Sequence, residues 1–294
     1  MSLDVIIIGH GPVNKTNKQV VNSWMNASKE LINQVIVVWS GTEGRKEFDT
    51  SVNVRYSESI VPAGQARNMG ANEAKSQQVL FVDSDMELFS VSELEQFISS
   101  VKEKIAVVNW IDKVGDVEKK HYPSNFKSKY FLAGGLVFVD RQLYTESGGM
   151  NPKFLRSQDW EWSVRQIIQG HTIEYIDRLF VKHHTHERYG DRKYLENIFR
   201  RKNYIFRGLI LKNTAKKPEL FLWFLSYKYR GSVLLVVSIL SGAYYIPFIV
   251  LYPGFALIRG KGKSSFKGLL LFVIYRFVED ILMIYGFIRA FFSR

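Results

Sequence analysis

The 294-residue chain has no cysteine. That excludes disulfide staples and every thiolate-ligated metal site, and it is compatible with a reducing compartment. Acidic residues are scarce in one region only. From Arg192 to Arg294 there are 18 Lys and Arg against 4 Asp and Glu, a balance of +14, whereas Met1 to Asp191 carries 22 against 24, a balance of −2. The formal charge of +12 therefore belongs to the last third. The opening run LDVIII lacks the charged-then-apolar pattern of a secretion signal and reads as a strand.

The basic third also holds the long apolar runs, GSVLLVVSILSGAYYIPFIVLYPGFALI and GLLLFVIYRFVEDILMIYGFIRAFF. Basic charge interleaved with aromatics and apolar runs is what an anionic membrane surface attracts, and a nucleic-acid groove seldom carries such stretches. Two parts follow: a near-neutral domain over 1–190 and a basic, membrane-seeking region over 191–294. The short connection with Arg259, Lys261, Lys263 and Lys267 argues against two full crossings, which would leave it on the far side. Gly242, Pro247 and Pro253-Gly254 interrupt the first run. The second run carries Arg276, Glu279, Asp280 and Arg289, with Arg276 and Asp280 spaced to pair. The expectation is a monotopic arrangement at the cytoplasmic face; two ordinary spanning helices are the alternative.

In the first part strands and helices alternate. DVIIIG, QVIVVWSG, VLFVD and IAVVNW read as buried strands and VNVRY as a short one. Helices are expected over Val13–Leu31, Gly64–Lys75 and VSELEQFISSVKEK, the last capped by Ser90. Continuous apolar strands between helices indicate an α/β fold with a mainly parallel sheet, whose ligands bind beyond the carboxyl ends of the strands. The strand VLFVD runs into Asp83-Ser84-Asp85 at such an end. Two carboxylates spaced one apart on that turn suit Mg²⁺ or Mn²⁺, which can bridge phosphates; alone, the same pair is also an ordinary solvated turn.

Other segments accompany it. Upstream stands SIVPAGQARNMG; downstream come FLAGGLVFVDRQLYTESGGM, SQDWEWSVRQIIQG and YIDRLFVKHH. In this order the segments resemble the family 2 glycosyltransferases, inverting enzymes of the GT-A fold, over roughly residues 3 to 186. Gly64, Ala66 to Asn68 and Gly70 echo the family's G-x-x-x-A-R-N-x-G segment, with Gly64 two residues closer than usual. Asp83 and Asp85 echo its D-x-D, and Arg141 to Gly149 its R-x-x-x-x-x-x-G-G. Gln158-Asp159-Trp160, with Arg165 and Gly170, echo its acidic helix start, and Val181-Lys182-His183 its late strand ending in His.

The resemblance implies a nucleotide-diphosphate sugar as donor (UDP-, GDP- or dTDP-linked), a divalent metal as cofactor, and a lipid-linked, polyprenyl type of acceptor at the cytoplasmic membrane face, in glycan synthesis. It places the metal at Asp85 with Asp83 and His183, drawn from the run that also holds His184 and His186. It assigns the nucleotide to His10, Ser40, Arg67, Asp83 and Asp85, the catalytic base to Asp159, and sugar or acceptor contacts to Gly134, Gly135 and Trp160. The chain departs from the family after its first strand, where Gly9-His10-Gly11-Pro12 stands, and after its second. There Trp39-Ser40-Gly41-Thr42 replaces the acidic run that helps hold the base; Trp39 offers a face to stack and Ser40 a hydroxyl. Gln158 takes the first acidic position and cannot serve as a base.

Each assignment has a plainer counterpart: Asp159 as a helix N-cap, Arg67 as a surface cation, Trp160 and Trp162 as core, Gly148-Gly149 as a turn. An inactive membrane scaffold of the same fold and a sugar-nucleotide nucleotidyltransferase are the other functional classes; GHGPVNKT is a poor version of the loop the latter carries.

Overall fold

In the first part of the chain the short runs of Val, Ile and Leu, bounded by polar and turn residues, form strands buried on both faces, and they make the centre of its sheet. The structure, a computed structural model, describes residues 3–27, 30–41, 47–48, 53–57, 59–121, 130, 134–185, 203–242 and 266–292. The chain divides into two compact units, Met1–Glu187 and Arg188–Arg294.

In the first unit the strands are β1 (Leu3–His10), β2 (Ile32–Ser40), β3 (Asn53–Ser57), β4 (Gln78–Asp83), β5 (Met86–Leu88), β6 (Ile105–Val114), β7 (Val117–His121), β8 (Val137–Asp140) and β9 (Glu174–His184). Their order in the sheet is β3-β2-β1-β4-β8-β6-β9-β5, with β7 paired to β6. The expected parallel arrangement holds for β3-β2-β1-β4 and for β6 beside β9. Strand β8 runs against both β4 and β6, β5 against β9, and β7 against β6. Because β8 reverses twice, β6 and β9 run the same way as β4, so all their carboxyl ends lie at one edge of the sheet.

The helices are α1 (Lys15–Met25), α2 (Ala63–Glu73), α3 (Val91–Ser100), α4 (Arg141–Glu146) and α5 (Gln158–Ile168). Helix α1 is shorter than its apolar spacing predicts. Asn14 and Asn17 cap it reciprocally, each side chain accepting from the other's backbone N–H, and the chain leaves the helix at Asn26. Ser90 caps α3 as expected, accepting from the Glu93 N–H. One face of the sheet buries Trp24, Phe97, Phe138 and Phe180, whose rings meet edge-on or tilted at centroid distances of 5.2–6.5 Å.

At the amino end of β1, Asp4 is buried yet accepts from the Lys75 and Ser76 amides, the Ser76 hydroxyl and the amides of Asn33 and Gln34. Burial alone would raise its pKa; the hydrogen bonds from Ser76, Asn33 and Gln34 hold it below the ordinary value. This carboxylate ties the α2–β4 connection to the sheet.

The second unit comprises α6 (Asn203–Thr214), α7 (Pro218–Lys228), α8 (Arg230–Gly242) and α9 (Phe266–Phe292). Helices α6 and α9 touch backbone to backbone: a Cβ on Gly208 would strike the Gly286 carbonyl, and one on Gly286 the Tyr204 carbonyl. Arg207 donates to Glu279 at 3.1 Å, and Ser232 donates to the buried Asp280 at 3.1 Å. Arg276, the sequence-predicted partner of Asp280, has its side chain outside the described residues, as do Thr42, His186, Arg192–Lys202 and the connection 259–265. Among the described residues no single helix is long and apolar enough to cross a membrane, although Pro218–Tyr227 and Arg230–Val237, bent by 81°, reach that length together.

Candidate active site

Strand β4 stops where its apolar run stops. The Ser84 amide donates to the Ile8 carbonyl of β1, and Asn17 of α1 donates to the Ser84 carbonyl, so the turn carrying Asp83 and Asp85 is fixed between β1 and α1. Asp83 points toward α2, where Arg67 Nη2 donates to its Oδ1 at 2.6 Å. Arg67 is 3 % exposed, which removes the surface-cation alternative; its Nε is buried without a hydrogen-bond partner. Gly135, just before β8, lies against the Asp83 Oδ2, where any side chain would collide, and Gly134 faces the edge of Trp110.

Asp159 stands one residue into α5. The N-cap is Ser157, in a left-handed conformation (φ 58°) and without a side-chain cap bond, so Asp159 is not the cap. A non-glycine residue held there stores strain of a kind that clusters at functional sites. Burial pushes the Asp159 carboxyl up to about 6; Arg67 and the Trp160 amide pull it down, and the Asp83 charge raises it further. Asp83, Arg67 and Asp159 are thus one electrostatic group. Gly64 makes the approach of α2 to α5 possible, since a Cβ there would lie 3.1 Å from both Gln158 Cγ and Met150 Cβ.

A hydrogen-bonded frame that the motifs only hinted at backs this group. Asn68 Oδ1 accepts from Tyr144 Oη at 2.6 Å and from the Met150 amide at 3.0 Å, and its Nδ2 donates to the Met150 carbonyl. Arg165 donates to Glu161 and to the carbonyls of Ser147 and Gly149. Gly148 and Gly149 both have positive φ (77° and 63°), so they form a turn. Trp162 is buried and donates to Ser147 Oγ, which makes it core, whereas Trp160 is half-buried.

Asp85 points the other way. Its Oδ2 faces His183 Nε2 at 3.4 Å, and its Oδ1 is buried with no hydrogen-bond partner. The second ring nitrogen of His183 meets Asp112 Oδ1 at 2.8 Å. Burial would lower the His183 pKa, but Asp85 and Asp112 together raise it. His184 turns aside to Glu87 at 2.7 Å. No cluster of three or more His, Asp or Glu able to hold a metal occurs among the described residues. An acceptor pair with one orphaned carboxylate oxygen nevertheless fits a hard divalent ion of the Mg²⁺ type, which takes few protein ligands and completes its shell with phosphate and water.

His10 and Ser40 are register partners at the ends of β1 and β2, His10 exposed and Ser40 buried. The structure corrects the expectation for Trp39. Its indole is buried against Gly9, where a side chain would collide with the ring, and its Nε1 donates to the Gly11 carbonyl at 2.7 Å. No face is left for a base to stack on.

No protein-family model matches the chain, and no curated protein matches it in sequence. Solved structures do match in fold. Residues 1–349 of TarS from S. aureus superpose with a TM-score of 0.58 at 16 % identity, over 98 % of this chain and 91 % of that one. A complex of the same fragment with UDP-GlcNAc superposes equally well at 15 % identity. The mannosyltransferase PcManGT from Pyrobaculum calidifontis, in complex with GDP-Man and Mn²⁺, gives 0.59 at 12 % identity, over 98 % and 87 %. At these identities the likeness is one of fold, a mixed α/β fold that those proteins share with this chain.

Proposed function

We propose that this chain is an inverting glycosyltransferase. It moves a sugar from a nucleotide-diphosphate donor to a lipid-linked acceptor at the cytoplasmic face of the membrane. The observation that carries the reading is the division of labour among three carboxylates at one edge of the sheet. Asp83 is paired with Arg67, Asp85 faces His183 with one oxygen unsatisfied, and Asp159 is half-buried, its carboxyl raised to about 6. Neighbouring acids set in such different surroundings mark acid–base and charge-binding roles. The fold-neighbours solved with UDP-GlcNAc or with GDP-Man and Mn²⁺ support the donor class.

Asp85 and His183 would hold the divalent ion. When bound, it supplies positive charge against the departing diphosphate. Arg67, through Asp83, fixes the side of the site toward α2. Asp159 takes the proton of the acceptor hydroxyl as its oxygen bonds to the anomeric carbon and the bond to the diphosphate breaks. One displacement from the opposite face inverts that carbon. A carboxyl near 6 is a stronger base than an ordinary aspartate and still ionised at neutral pH.

The membrane part of the reading rests on charge and on α9. Eighteen basic residues lie after Asp191, and Ile274, Phe277, Ile281, Tyr285, Ile288 and Phe291 are exposed at helical spacing along α9. A thermal-shift panel of UDP-, GDP- and dTDP-sugars, with and without Mn²⁺, tests the proposal. Mn²⁺-dependent stabilisation by one nucleotide is the expected result; none from any would favour an inactive scaffold of the same fold.

A further inference from the structure

Strands β6 and β9 are neighbours, and Asp112 and His183 are register partners across them. Nothing in the sequence motifs points to Asp112, yet three side chains converge on it. His183 Nδ1 lies 2.8 Å from its Oδ1, Trp110 Nε1 donates to the same oxygen at 2.9 Å, and His121 Nδ1 lies 3.1 Å from Oδ2. Trp110, two residues earlier, shares the strand face of Asp112. Its own register partner on β7 is His121, and the two rings stack at 4.3 Å with 10° between planes. The carboxylate is therefore held on both oxygens by a hairpin built around it.

An ionised carboxylate only accepts hydrogen bonds, so the contact with His183 requires a proton on Nδ1. In the neutral ring, Nε2 is then left as a lone pair. That lone pair faces Asp85 Oδ2 at 3.4 Å, beside an Asp85 Oδ1 that has no partner. Acceptors gathered in this way are satisfied by a cation. Histidines that ligate metals commonly give their other ring N–H to a carboxylate, and removing such a partner costs about 10–100-fold in metal affinity.

We propose that Asp112 is a positioning residue for the donor site. It fixes the ring and the Nδ1-protonated tautomer of His183, so that Nε2 and Asp85 together receive the divalent ion, and Trp110 and His121 hold Asp112 in place. This rests on the metal assignment made under Proposed function and adds to it the β6–β7 hairpin as part of the metal site.

The test begins with metal-free protein. Nitrogen-15 NMR of the His183 ring, identified by its absence in His183→Gln, is read on the alkaline side of the ring's titration. The expected neutral ring carries its proton on Nδ1 in the wild type and loses that preference in Asp112→Ala. Mn²⁺ binding, followed by electron paramagnetic resonance, is expected to weaken about 10–100-fold in Asp112→Ala. A wild-type neutral ring protonated on Nε2 overturns the proposal, and that reading does not depend on Asp112→Ala folding. So does unchanged Mn²⁺ affinity in an Asp112→Ala protein that melts like the wild type. Wild-type protein that binds no Mn²⁺ overturns the metal assignment instead, and the ring tautomer still decides whether Asp112 positions His183.

Discussion

Asp4 is buried and Asp159 half-buried, and their pKa values move in opposite directions. Asp4 is lowered by the hydrogen bonds it accepts, so its contribution to stability is complete above 3.8 and is lost as pH falls through the folded-state value. Asp159 is raised from 3.8 to about 6, so the folded state loses roughly 3 kcal/mol from this group as pH climbs between those values. One substitution separates stability from catalysis. Asp159→Asn is expected to melt higher than the wild type at neutral pH, to keep donor affinity, and to lower turnover by ~10²–10⁴-fold. Scanning calorimetry and single-turnover rates check the two halves, and near wild-type turnover would place the base elsewhere. In the wild type the rate should fall about tenfold per pH unit below about 6, because the base must be ionised. Asp85→Ala should melt like the wild type but lose Mn²⁺-dependent nucleotide binding in calorimetry, since its Oδ1 contributes no hydrogen bond to the fold.

At the scale of elements, close approach decides what the helices can do. Helix α2 reaches the sheet at Gly70, where a Cβ would strike Ile6 Cγ2 and press on Val38. Gly70→Ala is expected to cost about 1–3 kcal/mol in urea unfolding, as overpacking of a buried contact does. Strands β1, β2 and β4 are legible in the sequence because they are buried on both faces and read as unbroken apolar runs. Strand β5 is three residues long, too short for any periodicity, and its pairing is set by β9 almost a hundred residues later. Gly115-Asp116 is a readable hairpin signal, and it extends IAVVNW into the β6–β7 ribbon. The carboxylates Asp83, Asp85 and Asp159 could be found from motif order. Asp112 could not, because its role comes from lying across the sheet from His183, and cross-strand register leaves no mark in a single chain. Trp39 misleads for a related reason: an indole at a strand end is visible in sequence, but the slot left for it by Gly9 is not.

The whole molecule divides its charge as it divides its fold. The last 103 residues, Arg192–Arg294, carry the balance of +14, and four helices are described within this region. Full-length protein is expected to sediment with vesicles containing anionic lipid, to bind neutral vesicles far less, and to release as salt rises, at roughly 1 kcal/mol per basic residue near the surface. Salt-independent binding to both would mean that burial of apolar surface alone holds it.

The strand order also sets a timetable. Strand β9 is the last to be made, yet it lies between β6 and β5, and β5 has no other strand partner among the described residues. A ribosome adding about 5–20 residues per second finishes β5 some 5–20 s before His184 emerges. For that interval the nascent chain carries an unpaired strand and an unfilled edge on β6, the kind of surface that recruits other chains. Chains released before Glu174 are therefore expected to aggregate, and a translation pause ahead of β9 should lower the yield of folded protein more than the same pause behind it.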